Sequence, residues 1–595
     1  MAEIKTRSEL DPALTWDLTP MYDSDEAWEK EYSDLDALLQ KFLEFRGHLA
    51  DSPAVLKQAF EADDALSLSI ERLYVYSHLK ADEDTGNSVN QSRHDRISAR
   101  SAEISGECAW FQPELLAMDE ARFNAYLKDE TLAFYRRTLK EIGEERKHTL
   151  SAAEERILSL SSDVLGTPHK AFSLLNDADL RFPEIEDEKG ERIEVTHGNY
   201  IKLLESPVRK VRKAAFEAVY DTYAGMKNTL AALLDGEVKI HVLDAQLRSF
   251  PSAIASSLFG DKVPVSVYEN LIGSIHRNLP MIYRYFALRA KVLKLEKLDM
   301  YDIHTPLLPD CRMEVSWADA VKQVCDSLQV LGPEYHSAIG QAFENRWIDV
   351  PECRGKRSGA YSSGCFGSPP YMLLNFSGTL DSMFTLAHEL GHSMHSYFSD
   401  RNQPYHYAGY RIFVAEVAST TNELLLLNSL LKQTADPKIR AYLLNHLADE
   451  FRGTVFRQTM FAEFERDIHA LSEEGTPLTA DLLCDRYYQL NALYHGDAVK
   501  GDDRIRYEWS RIPHFYYDFY VYKYATGFSA AAALSRSILA GETEPYLRFL
   551  KAGGSRDVLD IMKDAGVDFL NGDPVGDALK LFDDTVTQLE KALLQ

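Results

Sequence analysis

Apolar residues recur at three- and four-residue intervals through most of this chain, and this helical periodicity limits the folds that it can adopt. The pattern predicts amphipathic helices near 26–46, 52–80, 88–127, 151–164 and 207–247. No period of about 20–50 residues repeats, so a solenoid of helical repeats is not indicated. A mainly α protein is therefore expected, and at 595 residues it should form two or more packed units or one large helical body.

Two short segments interrupt the helical pattern. The first predicts a β-hairpin, in which Ile185 and Ile193 lie on either side of the turn 188–190. The second follows a stretch rich in glycine and proline and predicts a strand at Tyr371–Phe376, directly before the residues that carry the chemistry. The expected fold is thus mainly α, with a small β-sheet next to the helix that follows Tyr371–Phe376.

The hairpin also suggests where the chain divides. We place a boundary near residue 195, which separates an N-terminal helical domain, 1–195, from a C-terminal domain, 196–595. After the hairpin, the residues Thr196 to Asn199 form a polar stretch. The next helix is predicted to start at Ser206-Pro207, because proline is well tolerated in the first turn of a helix.

Charge and cysteine usage exclude several classes of protein. The 65 basic and 92 acidic residues give a net charge of −27, which disfavours binding to nucleic acid or to an anionic membrane. The six cysteines are scattered without a C-x-x-C pair, as expected of reduced thiols. The first residues lack the apolar core of a signal peptide, and no uncharged apolar run reaches about 18 residues. These features predict a cytoplasmic protein and leave its oligomeric state open.

The chain contains one His-Glu-x-x-His motif, at His388, Glu389 and His392. The segment is expected to be helical, with Thr379 as the N-cap. Residues four apart lie one turn apart on the same face of a helix, so both imidazoles can bind one zinc ion at about 2.0–2.1 Å. A glutamate beside them can take a proton from a water molecule on the metal.

The third ligand distinguishes the known classes of zinc peptidase. A metzincin would need glycine at 395 and histidine at 398, where this chain has His395 and Phe398. A thermolysin-like spacing would place a glutamate at Ile412, and the aminopeptidase variant would place one near Arg411, so both fail.

The next helix offers two glutamates, Glu416 and Glu423, two turns apart on one face. Glu416 is nearer and is flanked by apolar residues, where a carboxylate needs a compensating charge that zinc would supply. Glu423 could instead orient a ligand histidine, or it could serve as an ordinary polar residue on the helix. His395, three residues after His392, could be an additional ligand or a packed histidine.

The run AHELGHSMHSYFS, followed by FVAEVAST, resembles the thimet oligopeptidase and oligoendopeptidase F family of zinc peptidases. The opening TWDLTPMYDSDEAW and the later RIPHFYYDFYVYKYATGFSAA are similar to the oligoendopeptidase F branch. The resemblance implies one zinc ion on His388, His392 and Glu416, with Glu389 as catalytic base and general acid. It also implies a large, two-part helical body around a deep channel, which admits short unstructured peptides.

The resemblance further implies that a histidine and two tyrosines of a C-terminal segment face the metal and hold the substrate carbonyl. The matching residues here are His514, Tyr517 and Tyr524. The residues themselves agree with this assignment, because Pro513 can open a helix on which tyrosines seven apart share a face. Such hydroxyls can donate to a developing oxyanion.

The expected function is hydrolysis of internal peptide bonds in short oligopeptides, by Glu389-assisted attack of a zinc-bound water. The strand at Tyr371–Phe376 is expected to bind an extended peptide by backbone pairing. Two alternatives remain at this stage: a zinc exopeptidase, of carboxypeptidase or aminopeptidase type, and a metal-free helical peptide-binding protein.

Overall fold

A computed structural model describes residues 4–309, 311 and 313–594 of the chain. These residues form two compact units. The first contains the described residues of Met1–Thr149, Met313–Leu426 and Ser535–Ala565, and the second contains those of Leu150–Arg312, Leu427–Leu534 and Gly566–Gln595. Both units are discontinuous in sequence, whereas the predicted boundary near residue 195 divides the chain only once. The division into the domains 1–195 and 196–595 therefore stays a prediction. Within the described ranges, no helix combines the length and the apolar character needed to cross a membrane.

The mainly α prediction is confirmed, because helices account for most of both units. Helices that begin in the first unit are Asp25–Leu43, Pro53–Glu83, Ser88–Cys108, Phe111–Ala117, Glu120–Lys128, Arg136–Glu145, Trp317–Leu328, Pro333–Glu344, Leu380–Asn402, Tyr405–Ala408, Ala415–Gln433, Glu544–Lys551 and Val558–Asp564. Helices that begin in the second unit are Ala152–Leu165, Thr167–Ser173, His197–Leu204, Arg209–Leu247, Ala253–Phe259, Val265–Val292, Pro437–Glu450, Arg457–Glu473, Ala480–His495, Tyr522–Leu539 and Pro574–Leu594.

One stretch predicted as polar connection is a helix. His197–Leu204 is helical because Thr196 caps it: the Thr196 side chain accepts from the Asn199 backbone N–H, and the Asn199 side chain accepts from the Thr196 backbone N–H. The long helix that follows begins at Arg209 rather than at Ser206-Pro207. The polar residues after the hairpin therefore start a helix, which the sequence interpretation missed.

Among the described residues, three small sheets complete the fold. In the second unit the predicted hairpin is confirmed, with strands Glu184–Glu186 and Arg192–Glu194 paired so that Ile185 faces Ile193. A parallel pair joins Leu298–Asp299 to Val499–Lys500. In the first unit a three-stranded sheet has the order Ile348–Asp349, Tyr371–Leu373, Tyr361–Ser363. Its central strand begins at Tyr371 as predicted and ends at Leu373, three residues earlier than expected.

The helix Leu380–Asn402, called the motif helix below, is anchored at its start and along one face. The Thr379 hydroxyl accepts from the Ser382 backbone N–H at 3.2 Å, as the sequence predicts for an N-cap. Leu386, Leu390 and Met394 are fully buried along its apolar face. The small sheet packs on the same helix, where the Ser362 and Ser393 hydroxyls share a hydrogen bond of 2.7 Å. This packing fixes the part of the chain that carries the His-Glu-x-x-His motif.

A buried ionic network stabilises the second unit. The Glu508 carboxylate accepts hydrogen bonds from Tyr487 Oη at 2.6 Å and from Arg457 Nη2 at 2.8 Å, and Arg511 Nη1 lies 3.5 Å away. Burial alone would raise the pKa of Glu508, but the charges of Arg457 and Arg511 outweigh it and hold the pKa at about 2. The carboxylate therefore stays ionised in the folded protein.

Replacing Glu508 with glutamine should lower the free energy of unfolding by about 3 kcal/mol at pH 7, because the partly buried guanidinium groups of Arg457 and Arg511 lose their partner. The folded pKa lies below the unfolded value of about 4.3, so this stabilisation is present above pH ~4.3 and is lost as the pH falls toward 2. Urea denaturation should show a wide gap between wild type and variant at pH 7 and a narrower gap at pH 3. Glutamine at the exposed Glu191 is the control. A gap that is equal at both pH values would contradict this account.

Candidate metal centre

Three predicted ligands converge within the first unit. The distances are 3.2 Å between His388 Nε2 and His392 Nε2, and 3.3 Å from each of these atoms to Glu416 Oε2. Three ligands placed about 2.0–2.1 Å from a tetrahedral zinc ion stand about 3.3 Å apart. The three atoms thus form a triangle of the size that zinc requires, and the residues present fit a bound zinc ion.

Gly391, inside the motif, allows the glutamate to reach this point. Glu416 lies in the first turn of the helix Ala415–Gln433, called the glutamate helix below. A Cβ atom at position 391 would lie 2.5 Å from Ser419 Cα and 2.6 Å from the Ala418 carbonyl oxygen, which real Cβ atoms do not tolerate. The two helices therefore touch backbone to backbone, and only glycine permits this approach.

Polar side chains of the glutamate helix fix this contact. The Ser419 hydroxyl donates to Glu416 Oε2 at 3.0 Å, which orients the carboxylate. Asn422 donates to the Ala387 carbonyl at 3.2 Å and accepts from the Tyr335 hydroxyl at 3.0 Å. The sequence interpretation missed these residues, although Ser419 follows Glu416 at the three-residue spacing of one helix face.

Glu423 holds one of the two histidines from behind. Its Oε1 lies 2.5 Å from His388 Nδ1, so the carboxylate accepts the Nδ1–H, and Nε2 of the same ring faces the centre, where it is available to a metal ion. A carboxylate in this position fixes the tautomer and raises the basicity of a metal-binding histidine. Of the two roles considered for Glu423, the geometry favours orientation of the ligand.

Glutamine at position 423 should weaken zinc binding by about 10–100-fold, because a neutral carboxamide supports His388 less strongly than a carboxylate. The variant keeps the shape of the side chain, so the fold should be retained. Competition with a zinc-binding dye gives the dissociation constants. Glutamine at the exposed Glu344 of the same unit is the control. Equal zinc affinity in wild type and the 423 variant would show that the contact is incidental.

The electrostatics of the centre favour a cation. Burial alone would lower the pKa of His388, but hydrogen bonds to Glu416 and Glu423 outweigh it and raise the pKa to about 10. Burial alone would raise the pKa of Glu416, but the hydrogen bonds of His388 and His392 hold it well below its usual range. In the absence of a metal the carboxylates thus attract a proton to the site, which indicates a strongly negative potential where the three ligand atoms meet.

Glu389 lies beside the ligands and is buried. The residue belongs to the motif helix and is only 7% exposed. Burial raises the pKa of this carboxyl, and the neighbouring histidines oppose the rise. A carboxylate with a raised pKa accepts and returns protons more readily near neutral pH than an exposed one. The position and the pKa of Glu389 therefore suit an acid–base role.

The centre is open on one side. The side chains of His388, His392 and Glu416 are 28%, 20% and 40% exposed. A structural zinc site normally has four protein ligands and is closed, whereas a catalytic site leaves one coordination position for water or substrate. Three convergent ligands with partial exposure correspond to the catalytic type.

His395 takes no part in the triangle. Its ring stacks on Tyr410, with ring centroids 3.7 Å apart and an angle of 7° between the planes, and it also contacts Phe549. The residue is buried, and burial lowers the pKa of His395 to about 3, so the ring is neutral. Of the two roles considered for it, the structure favours the packed histidine.

The second unit contains the other predicted site residues, His514, Tyr517 and Tyr524. The Tyr524 hydroxyl and His514 Nε2 are hydrogen-bonded at 3.3 Å. The rings of His514 and Tyr517 have centroids 5.6 Å apart. The prediction that the two tyrosines share one helical face is wrong. Tyr517 follows the short turn of helix Pro513–Tyr516, whereas Tyr524 belongs to Tyr522–Leu539.

The break between these elements has a local cause. Asp518 and Phe519 have φ angles of +46° and +56°, in the left-handed region, and no helix continues through two such residues. Neither residue is a glycine, and the sequence therefore gave no signal of this turn. The three predicted residues are still brought together locally, but by a turn rather than by one helix.

The small sheet corrects another expectation. Tyr371–Leu373 is the central strand and pairs on both sides, with Ile348–Asp349 and with Tyr361–Ser363. It therefore has no free edge for a peptide, and the prediction that it binds substrate by backbone pairing is wrong. Within the described residues, Tyr361–Ser363 pairs with this central strand alone and is the edge of the sheet beside the motif helix.

Comparison with known proteins shows the family to which the chain belongs. The model of Peptidase family M3 matches residues 202–581, and that of Oligopeptidase F matches residues 114–182. Oligopeptidase PepF of Bacillus subtilis is 46% identical over 100% of this chain and 89% of its own length. The plasmid-encoded oligoendopeptidase F of Lactococcus lactis subsp. cremoris is 43% identical over 99% of this chain and 98% of its own.

Solved structures share the fold over nearly the full length. A peptidase from Chlamydophila abortus matches with a TM-score of 0.93 and 35% identity, over 99% of this chain and 100% of its own. The oligoendopeptidase F of Enterococcus faecium matches with a TM-score of 0.74 and 38% identity, over 96% and 99%. The family suggested by the HELGH run is thereby confirmed: the chain belongs to peptidase family M3, with its oligoendopeptidase F members, and is a metallopeptidase.

Proposed function

We propose that this metallopeptidase is a zinc-dependent endopeptidase that cleaves internal bonds of short, unstructured oligopeptides. The observation that carries the proposal is the triangle of His388, His392 and Glu416, whose ligand atoms have the spacing of a zinc site, with Glu389 buried beside it. Two imidazoles and one carboxylate are a ligand set typical of catalytic zinc. The relatives named oligoendopeptidase F support internal cleavage.

When bound there, zinc would supply Lewis acidity, which lowers the pKa of a water molecule and polarises the scissile carbonyl. The Glu389 carboxylate accepts the proton of the attacking water and then transfers it to the leaving amine. The burial that raises its pKa keeps the protonated form accessible between the two steps. Glu423 holds His388 in the tautomer that a metal ligand needs.

His514, Tyr517 and Tyr524 are proposed to act on the substrate carbonyl. Family resemblance motivates this assignment, and the hydrogen bond between His514 and Tyr524 supports a shared role. A phenolic hydroxyl can donate to the oxyanion that forms when the carbonyl is attacked. Tyr517 is 45% exposed, so its hydroxyl is accessible to a ligand.

The edge strand Tyr361–Ser363 is proposed to bind the peptide in extended form. Ser362 is hydrogen-bonded to Ser393, which directly follows His392, so the open edge of the sheet lies beside the metal ligands. Backbone pairing holds an extended chain with little regard to its side chains and does not suit a folded substrate. A peptide methylated at one backbone nitrogen should bind less well; if every singly methylated peptide binds as well as the parent, this role is excluded.

Cleavage mapping tests the proposed function. The metal is removed with a chelator, and a pool of short peptides is digested before and after Zn²⁺ is added back; mass spectrometry identifies the products. Zinc-dependent fragments that arise from internal cuts are expected. Successive loss of single terminal residues would instead indicate the exopeptidase alternative, and undiminished cleavage in the metal-free protein would contradict the zinc mechanism.

A further inference from the structure

A second group of metal-binding side chains lies in the second unit. It combines His241 of the helix Arg209–Leu247, His469 of the helix Arg457–Glu473 and Asp518 of the turn after Tyr517, with their ligand atoms all within 4.8 Å of one another. His241 Nδ1 is 3.1 Å from His469 Nε2 and 3.5 Å from Asp518 Oδ1. Both distances are close to the ~3.3 Å that separates two ligands of a tetrahedral zinc ion.

An oxygen atom lies behind the ring of each histidine, and for His469 it accepts a hydrogen bond. His469 Nδ1 lies 2.8 Å from the Glu465 carbonyl oxygen, which can only accept, so Nδ1 carries the hydrogen and Nε2 presents its lone pair to the cluster. His469 is 2% exposed, and its ring is nearly parallel to that of His241. On the far side of His241, Nε2 lies 3.6 Å from Glu237 Oε1. An oxygen behind each ring is the usual arrangement around metal-binding histidines.

Several buried carboxylate oxygens around this group have no hydrogen-bond partner among the described residues. Among the residues that the structure describes, Glu237 Oε2, Glu465 Oε2 and Asp518 Oδ1 are buried and make no hydrogen bond. No lysine or arginine in the described ranges forms an ion pair with any of the three. Buried carboxylate oxygens are costly unless they are paired or coordinate a metal. Three such oxygens beside two imidazoles therefore point to a bound cation.

The chain backbone is strained where Asp518 enters the group. Asp518 and Phe519 are consecutive non-glycine residues with positive φ, a conformation that persists only when its surroundings enforce it. The Ser257 hydroxyl donates to the Asp518 carbonyl at 2.7 Å, and the Phe519 N–H donates to Glu465 Oε1 at 2.7 Å. These bonds hold the turn in the form that directs the Asp518 carboxylate toward His241.

A cavity gives access to the group. It has a volume of about 410 Å³ and is lined by His241, Glu237 and Asp518 together with apolar side chains such as Leu243 and Leu247. The space is far larger than one water molecule, so a hydrated ion can enter and keep water as a further ligand. His469 forms the buried side of the group and Asp518 the accessible side.

We propose that His241, His469 and Asp518 bind a second divalent metal ion, zinc by the chemistry of its ligands, which holds the turn directly after Tyr517. Two imidazole nitrogens and one carboxylate oxygen suit zinc better than magnesium or calcium, which prefer oxygen ligands. The ion gives the buried Asp518 oxygen a strong partner and fixes Asp518 in its strained conformation. The proposal does not depend on the activity of the centre at His388, His392 and Glu416.

Metal analysis of the full-length protein tests this proposal. After saturation with Zn²⁺ and removal of loosely bound ions, the wild type should retain about two zinc ions per chain. Asp518→Asn and Glu416→Ala should each retain about one, and the double variant close to none. Asp518→Asn keeps the size of a side chain on the accessible edge of the group, and His241→Gln provides a second variant in case the first fails to fold.

The matched control is His276→Gln. His276 is in the same unit and its Nε2 lies 2.6 Å from the buried Glu463, but it belongs to no three-ligand group among the described residues. This variant should retain about two zinc ions. A wild type with about one zinc ion, lost in Glu416→Ala and kept in Asp518→Asn, would overturn the second site. Loss in Asp518→Asn with no loss in Glu416→Ala would support the second site and contradict the first, so the two failures are distinguishable.

A thermal measurement gives an independent test. Zn²⁺ added to metal-free Glu416→Ala protein should raise Tm by a few degrees, because an ion that binds only the folded state stabilises that state. The same addition should leave Tm of the Glu416→Ala, Asp518→Asn double variant unchanged. Equal responses of the two proteins would contradict the assignment.

Discussion

Replacing Glu389 with glutamine should leave zinc bound and lower kcat by about 10³-fold. The carboxamide fills the same buried space beside the ligands but cannot accept a proton from water or return one to the leaving amine. A positioned general acid–base contributes about 10²–10⁴-fold to rate, and here one group serves both steps. KM should change little, because the side chain binds a proton in the reaction rather than the resting peptide.

The measurement for Glu389→Gln combines steady-state kinetics on a fluorogenic peptide with zinc analysis of the same sample. Glutamine at Glu423 is the informative comparison, since it should weaken zinc binding and recover activity when zinc is in excess. The Glu389 variant should show the opposite behaviour, with full zinc content and no recovery. A kcat within tenfold of wild type would remove Glu389 from the reaction.

Replacing either Tyr517 or Tyr524 with phenylalanine should lower kcat by about 10²–10³-fold while zinc content stays unchanged. The substitution removes a single hydroxyl, and loss of one donor to a tetrahedral oxyanion has an effect of this size. Because the oxyanion exists only after the carbonyl is attacked, KM should be affected less than kcat.

Tyr520→Phe is the control for these two variants, since it removes a hydroxyl from the same segment, with its ring 5.4 Å from that of Tyr524. It should retain nearly the wild-type kcat. If all three phenylalanine variants lose activity equally, the effect comes from the folding of the segment. If none does, the tyrosines are not part of the catalytic machinery.

The sequence was sufficient to predict features that depend only on residues within one or two helical turns of each other. The spacing of His388 and His392, the cap at Thr379 and the hairpin around Ile185 all follow from local geometry, and the structure contains each of them. The choice of Glu416 as third ligand rests on the elimination of the other spacings and on its apolar neighbours. In the structure its carboxylate lies 3.3 Å from both histidines.

Features that depend on distant parts of the chain were missed or misplaced. The strand at Tyr371 was identified, but its two partners come from separate segments, and only their positions show that it is central rather than an edge. The second histidine cluster joins residues 228 positions apart, His241 and His469, which no spacing rule connects. The close contact at Gly391 likewise depends on a different helix.

The prediction of one continuous helix from Pro513 through Tyr524 was wrong for a different reason, which is the turn at Asp518 and Phe519. A run rich in tyrosine after Pro513 is compatible with a helix, and phenylalanine rarely adopts positive φ. The conformation is imposed by Ser257 and Glu465, which bind its backbone from two other helices. Tertiary contacts thus override the local preference at the point where the chain carries proposed functional residues.

The most direct test of the central claim is an anomalous difference map, collected at the zinc absorption edge from crystals of the protein grown with Zn²⁺. The account predicts a peak about 2.0–2.2 Å from His388 Nε2, His392 Nε2 and Glu416 Oε2, since these atoms already have the spacing that zinc requires. A map without density among these three atoms, or a Glu416 side chain turned away from both histidines, would contradict the account.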